Sequence, residues 1–236
     1  MRIFILFIRS CFFYLGFFSS LIICALLCLS IGQFLSLKQR YHYFLFWNKF
    51  VLAWLRFCCG IKTVINGKEH TPQHPFIILS NHQSPWETIF LYQYFSPVSA
   101  ILKKELLSIP LFGWSLAMLK PIAIDRKRKL NARQAVLEQG GSRLDQNISV
   151  LIFPEGTRVK PTETKKYQTG GAVLAIETGS VVLPVAHNAG YHWPSGKYIK
   201  YPGTITVTIG EPIDSSGRSA RELIEEVEGW IKQKQN

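Results

Sequence analysis

Residues 61–236 contain no cysteine, residues 1–60 contain no acidic side chain, and no formal charge interrupts Ser10 to Leu37. The first absence excludes a cysteine nucleophile from the body of the chain. All five cysteines, Cys11, Cys24, Cys28, Cys58 and Cys59, fall in the first sixty residues, where their spacing fits neither a zinc site nor a disulfide framework and reads as apolar filler. Also missing are a Gly-x-Ser-x-Gly elbow, a Walker loop and a dinucleotide fingerprint, which argues against a serine hydrolase, an NTPase or a Rossmann enzyme. Charged residues make up only 18% of the 236, against 47% hydrophobic, so the chain has ample apolar surface for a core and disorder is ruled out.

The uncharged stretch of 28 residues from Ser10 is dominated by Phe, Leu, Ile and Cys. As a helix it exceeds a hydrocarbon core of roughly 30 Å, so it spans with tilt or dips in and returns as a hairpin. Bulky Leu26, Leu27 and Leu29 leave no small-x-small cleavage site, so the segment reads as retained rather than as a signal peptide. Arg2 and Arg9 flank it on one side and Lys38 and Arg40 on the other, which gives a single span no preferred orientation. A second stretch, Tyr43 to Cys59, carries Lys49 and Arg56 on one helical face beside Trp47, Phe50, Trp54 and Phe57. It suits a helix in the headgroup region, or a core helix packed on the domain. Net charge is +12, with +6 in residues 1–60 and +7 in residues 101–170, a central block suited to an anionic ligand or surface.

Residues 1–60 are thus expected to form membrane-embedded or interfacial helices and residues 61–236 one α/β domain. Strands are expected at Thr63–Ile65, Phe76–Ser80, Ser99–Lys103, Ile122–Asp125, Ser149–Phe153, Val181–Ala186 and Thr204–Ile209. Helices are expected at Pro85–Tyr94, Leu106–Leu119, Leu130–Asp145, Ala172–Thr178 and Ala220–Lys234. This alternation gives a mostly parallel or mixed central sheet flanked by helices, with chemistry at the carboxyl ends of strands.

Two constellations sit at such ends. In Asn81-His82-Gln83-Ser84-Pro85-Trp86-Glu87, Ser84, Pro85 and Glu87 read as a helix cap, first position and third position. The same turn lets the Glu87 carboxylate meet His82, fix its tautomer and leave the other ring nitrogen free to take a proton from an alcohol. In Phe153-Pro154-Glu155-Gly156-Thr157-Arg158, Gly permits close backbone approach, Thr offers a hydroxyl and Arg a planar fork for phosphate; the plainer reading is a polar turn with a Glu–Arg surface pair. Asp125-Arg126, followed by Lys127, Arg128 and Lys129, and Lys103-Lys104-Glu105 add positive charge after other strands. His70 and His74 lie in a loop rather than on a metal-binding helix, and His187 and His192 have no carboxylate at useful spacing.

In this order the blocks resemble the 1-acyl-glycerol-3-phosphate acyltransferases of the glycerolipid acyltransferase superfamily. His82 to Glu87 matches the family's His-x-x-x-x-Asp motif, Pro121 to Arg126 its second block, Phe153 to Arg158 its third and Val182-Leu183-Pro184-Val185 its fourth, across roughly residues 62–213. The resemblance implies transfer of an acyl chain from acyl-CoA or acyl-carrier protein to the 2-hydroxyl of lysophosphatidic acid, with His82 as general base and Glu87 orienting it. It further implies that Glu155, Gly156, Thr157 and Arg158 form the acceptor site, with Arg126 and Lys104 supporting. No metal or cofactor is implied, the expected partners are the lysophospholipid, the thioester and membrane lipids rather than nucleic acid, and the expected location is the cytoplasmic membrane with the site facing the cytosol. Glu87 replaces the usual Asp, and Gln168 stands where many relatives carry Lys, a contact that Lys165 or Lys166 could take over. Two other readings compete: a superfamily member using glycerol-3-phosphate, another lysophospholipid or an aminolipid, and a non-catalytic module binding anionic lipid.

Overall fold

A computed structural model describes residues 1–73, 75–125 and 129–235. Helix α1 (Arg2–Ile31) and helix α2 (Leu37–Cys59) are joined by a short turn in which Ser36 and Gln39 form a capping box. The two run antiparallel. Arg9 Nε donates to the Cys58 carbonyl at 2.6 Å, Trp54 Nε1 to the Phe13 carbonyl at 3.2 Å, Trp47 Nε1 to Ser20 Oγ at 3.2 Å, and Tyr43 Oη to the Cys24 carbonyl at 2.9 Å. Gly16 makes this approach possible, because a Cβ there would overlap the Trp54 indole. The uncharged stretch itself does not turn back: Arg2–Ile31 is one continuous helix, and the hairpin is made by pairing it with α2.

The remaining elements build a seven-stranded sheet in the order β1-β7-β6-β2-β5-β3-β4. The strands are β1 (Ile61–Asn66), β2 (Ile77–Ser80), β3 (Val98–Lys103), β4 (Ile122–Ile124), β5 (Ser149–Ile152), β6 (Val182–His187) and β7 (Gly203–Ile209). All neighbours pair in parallel except β6 with β7. Strands β2 and β5 are buried at every position, as a sheet covered on both faces requires. One face carries α3 (Pro85–Tyr94) and the hairpin: Ile78, Leu151, Leu183 and Val207 pack with Trp86, Leu91, Val51, Leu55 and Phe13. The other carries α5 (Lys129–Asp145), α6 (Gly170–Thr178) and α7 (Ala220–Lys234), where Ile77, Leu79, Val150 and Val182 meet Val136, Leu174, Leu223 and Val227.

The expected helix Leu106–Leu119 is broken into a 3-10 segment, Lys104–Ser108, and α4 (Phe112–Ala117). Pro110 lacks the N–H that a continuous helix needs, and Leu111 turns the chain with φ 62°. Helix α2 packs on the domain along one face, where Trp47, Val51 and Leu55 are buried, and leaves Phe46 and Phe57 more than 70% exposed. On α1, Phe4, Phe12, Leu15, Phe18, Ile23 and Leu26 are all exposed. The segment Arg2–Phe34 has the length and mean hydropathy, 2.4, of a membrane helix. It is nonetheless tied to the domain at both ends. Near its start Ser10 Oγ accepts from the Lys200 N–H at 3.0 Å, and near its end Cys28 touches Met118 at 3.6 Å. Lys200 is buried with its ammonium 3.9 Å from the centre of the Tyr14 ring, bonded to Tyr14 Oη and to the Tyr198 carbonyl at 2.7 Å, and burial draws its pKa down to about 8.

Candidate active site

Strands β2, β5 and β6 are adjacent and parallel, so the residues leaving their carboxyl ends converge on one crevice. From β2 come Asn81 and His82, from β5 Phe153 to Arg158, and His187 ends β6. The turn after β2 is fixed by the α3 cap: Ser84 Oγ accepts from the Trp86 N–H at 3.0 Å, and Pro85 takes the first helical position.

Glu87 is fully buried, and its Oε1 accepts three hydrogen bonds: from the Ser84 N–H at 2.8 Å, the Gln83 N–H at 2.9 Å and His82 Nδ1 at 2.7 Å. Capping and imidazole pairing, the two readings of Glu87 from sequence, are thus performed by the same atom. Burial alone would raise its pKa, but the imidazoles of His187 and His82 and the Ser84 N–H outweigh that and hold it below the ordinary carboxylate value. An ionised acceptor places the His82 proton on Nδ1 and leaves Nε2 with its lone pair. Among the described residues Nε2 has no hydrogen-bond partner, and the His82 side chain retains 16% exposure.

The segment after β5 grips His82 from three directions. Glu155 Oε2 accepts from the His82 N–H at 2.8 Å, the Val159 N–H donates to the His82 carbonyl at 2.7 Å, and the Phe153 ring stacks on the imidazole at 4.1 Å between centroids and 15° between planes. Glu155 is therefore turned inward, only 5% exposed. Burial pushes its pKa up to about 7, with the Glu87 carboxylate adding to the rise and the His82 N–H opposing it. Gly156 follows at φ 71°, a left-handed turn that brings backbone against the Gln168 amide and would strain any other residue. Thr157 and Arg158 are exposed at the rim. Lys104 is also exposed, on the same edge of the sheet but beyond β3, two strands from β2. Arg126 to Arg128 and His74 lie outside the described residues. Among the described residues no three His, Cys, Asp or Glu side chains converge as a metal site.

A family model described as Acyltransferase matches residues 62–188, more than half of the chain. Similar to it is the 1-acyl-sn-glycerol-3-phosphate acyltransferase of Pseudomonas aeruginosa, 42% identical over 96% of this chain and 90% of that protein. The chain belongs to the 1-acyl-sn-glycerol-3-phosphate acyltransferase family. An enzyme of the same name from Limnanthes douglasii is 29% identical over 73% of this acyltransferase, which spans only 60% of that longer protein. Among solved structures, the crystal structure of the 1-acyl-sn-glycerophosphate (LPA) acyltransferase PlsC from Thermotoga maritima matches with a TM-score of 0.82 at 25% identity, covering 99% of this chain and 95% of the other.

One expectation is overturned by the fold. His187, read as having no carboxylate within useful spacing, lies with Nε2 4.0 Å from Glu87 Oε2. The sequence places His187 directly after the expected strand Val181–Ala186, where site residues collect, but the pairing with β2 that brings it to Glu87 is set by the sheet. Asn81 carries no signal of its role in the sequence, yet its side chain clamps β2 to β6: Nδ2 donates to the His187 carbonyl at 2.8 Å and Oδ1 accepts from the His187 N–H at 3.0 Å.

Proposed function

We propose that this acyltransferase moves a fatty acyl chain from a thioester, acyl-CoA or acyl-carrier protein, to the 2-hydroxyl of lysophosphatidic acid. The observation that carries the proposal is the 2.7 Å bond between His82 Nδ1 and the buried Glu87 carboxylate, in a His82 side chain that keeps 16% exposure. His82 Nε2 takes the hydroxyl proton as the oxygen attacks the thioester carbonyl, and Glu87 stabilises the imidazolium that forms. Collapse of the tetrahedral intermediate breaks the carbon–sulfur bond, and the departing thiolate receives the proton. The product is phosphatidic acid, and the chemistry requires no metal or cofactor.

Roles around the base divide by burial. Glu155 holds the His82 backbone, while Arg158 at the rim, with Thr157 and the Gly156 turn, meets the acceptor phosphate; Lys104 adds attraction from the same edge of the sheet, and the charge of Arg126, outside the described residues, supports it. The hairpin gives the enzyme its membrane. Its exposed Phe and Leu side chains enter the hydrocarbon from one side, and its ties to the domain at both ends keep it along the domain rather than standing away from it. The amphiphilic acceptor is then taken up at the bilayer surface, with the site toward the cytosol where thioester donors are made.

The test is a panel of acceptors offered to membranes containing the protein, with labelled acyl-CoA or acyl-carrier protein. Labelled phosphatidic acid from lysophosphatidic acid supports the reading. Transfer only to glycerol-3-phosphate, lysophosphatidylcholine or an aminolipid would replace the acceptor, and no transfer from either donor would favour a lipid-binding module.

A further inference from the structure

Behind the His82–Glu87 pair sits a second imidazole that the proposed reaction does not touch. His187 is fully buried, and burial keeps its ring neutral by lowering its pKa. The Ala189 N–H points at Nδ1 from 3.3 Å, so Nδ1 is the acceptor and the ring proton is on Nε2. From there it reaches the Asn81 carbonyl at 2.9 Å and lies 4.0 Å from Glu87 Oε2. Oε2 has no hydrogen-bond partner among the described residues, whereas Oε1 has three.

Glu has one more rotatable bond than Asp, so a carboxylate anchored through one oxygen alone retains freedom to swing its other oxygen. We infer that His187 is a positioning residue, which fixes Asn81, the residue preceding the base, through its backbone and its Nε2–H, while its ring walls off the second oxygen of Glu87 at 4.0 Å. The assignment rests on the reading of His82 as general base. It explains why a neutral, buried histidine occupies the end of β6, where an aliphatic side chain would satisfy the core. With Oε1 held by three donors and the swing of Oε2 limited by the His187 ring, the carboxylate keeps the plane that His82 Nδ1 requires. His187 itself touches neither substrate nor reacting atoms.

The test compares His187→Gln, whose amide nitrogen reaches about as far as Nε2, with His187→Asn, which is polar but too short, and His187→Leu, which has no donor. Steady-state kinetics, thermal unfolding and the downfield Nδ1–H proton resonance of His82, identified by its disappearance in His82→Ala, are recorded for each full-length protein in detergent. Partners that orient a functional imidazole from behind are worth roughly 10–100-fold. The expected result is a loss of kcat of that size in His187→Asn and His187→Leu with KM unchanged, an upfield move of the resonance, and recovery of both in His187→Gln. Should His187→Leu not fold, the Asn and Gln variants carry the comparison. Wild-type kcat in all variants, or equal impairment of Gln and Asn in step with lost thermal stability, overturns the positioning role while an inactive His82→Ala leaves the base reading intact. An active His82→Ala would overturn both.

Discussion

Replacing Glu87 by Gln exchanges one carboxylate oxygen for an amide nitrogen and leaves the shape unchanged, so it isolates charge. In the native site Oε1 accepts from His82 Nδ1, Gln83 N–H and Ser84 N–H, and Oε2 faces His187 Nε2–H at 4.0 Å. Turned toward the Oε1 side the NH2 group confronts three donors, His82 and two backbone N–H groups, and turned the other way it faces the His187 ring at 4.0 Å without an acceptor. Loss of the anion also leaves the imidazolium of the transition state without its partner. Two unit charges about 4 Å apart at an effective dielectric near 20 interact by about 4 kcal/mol. At about 1.36 kcal/mol per decade that is roughly a thousandfold in kcat. KM for both substrates should change little, since neither touches Glu87. The assay is thiol release from acyl-CoA coupled to phosphatidic acid formation, with thermal unfolding measured beside it. A Glu87→Gln enzyme that keeps kcat within threefold of wild type would refute the pairing as the source of the base.

Other consequences follow from the same geometry. Arg158→Ala should raise KM for a phosphorylated acceptor by roughly 10–100-fold, the equivalent of a charged hydrogen-bond pair, with a smaller effect on kcat, and Arg158→Lys should recover only part; steady-state kinetics decide. Glu155 is raised from its ordinary value to about 7, so between about pH 4.5 and 7 the folded state binds more protons than the unfolded one and stability falls as pH rises. Glu155→Gln, which can still accept from the His82 N–H, should remove that fall and be more stable above pH 7 by on the order of 2–3 kcal/mol, read from thermal unfolding across pH. Gly16→Leu should push Trp54 off α1 and destabilise the hairpin by about 1–3 kcal/mol, seen as a lowered unfolding temperature and as loss of a cross-link placed between the two helices.

What sequence could show depended on whether the cause was local. Helices α3 and α7 run between the residues expected, and in the structure each starts at a capping box, Ser84 with Glu87 and Ser219 with Glu222, a cap set by four consecutive residues. The apolar runs that became β2, β5 and β6 were legible for a similar reason: a strand covered on both faces is apolar without alternation. Apolar periodicity misled at Leu106–Leu119, where Pro110 and the turn at Leu111 override it. His82 and Glu87 could be paired because they stand only five positions apart, across one turn. His187 could not, since its distance from Glu87 is set by the order of β2 and β6 in the sheet and not by spacing along the chain. The inward turn of Glu155 and the contact of Ser10 with Lys200, 190 residues apart, are long-range packing of the same kind.

The central claim is that His82 is the base for acyl transfer to a lysophospholipid hydroxyl. Its most direct measurement is a single turnover of acyl-CoA or acyl-carrier protein with lysophosphatidic acid on membranes carrying wild type or His82→Ala, following free thiol and phosphatidic acid together. The account predicts equimolar thiol and phosphatidic acid from the wild type and neither above background from the variant, with both proteins equally folded. Phosphatidic acid formed by His82→Ala at the wild-type rate would contradict it.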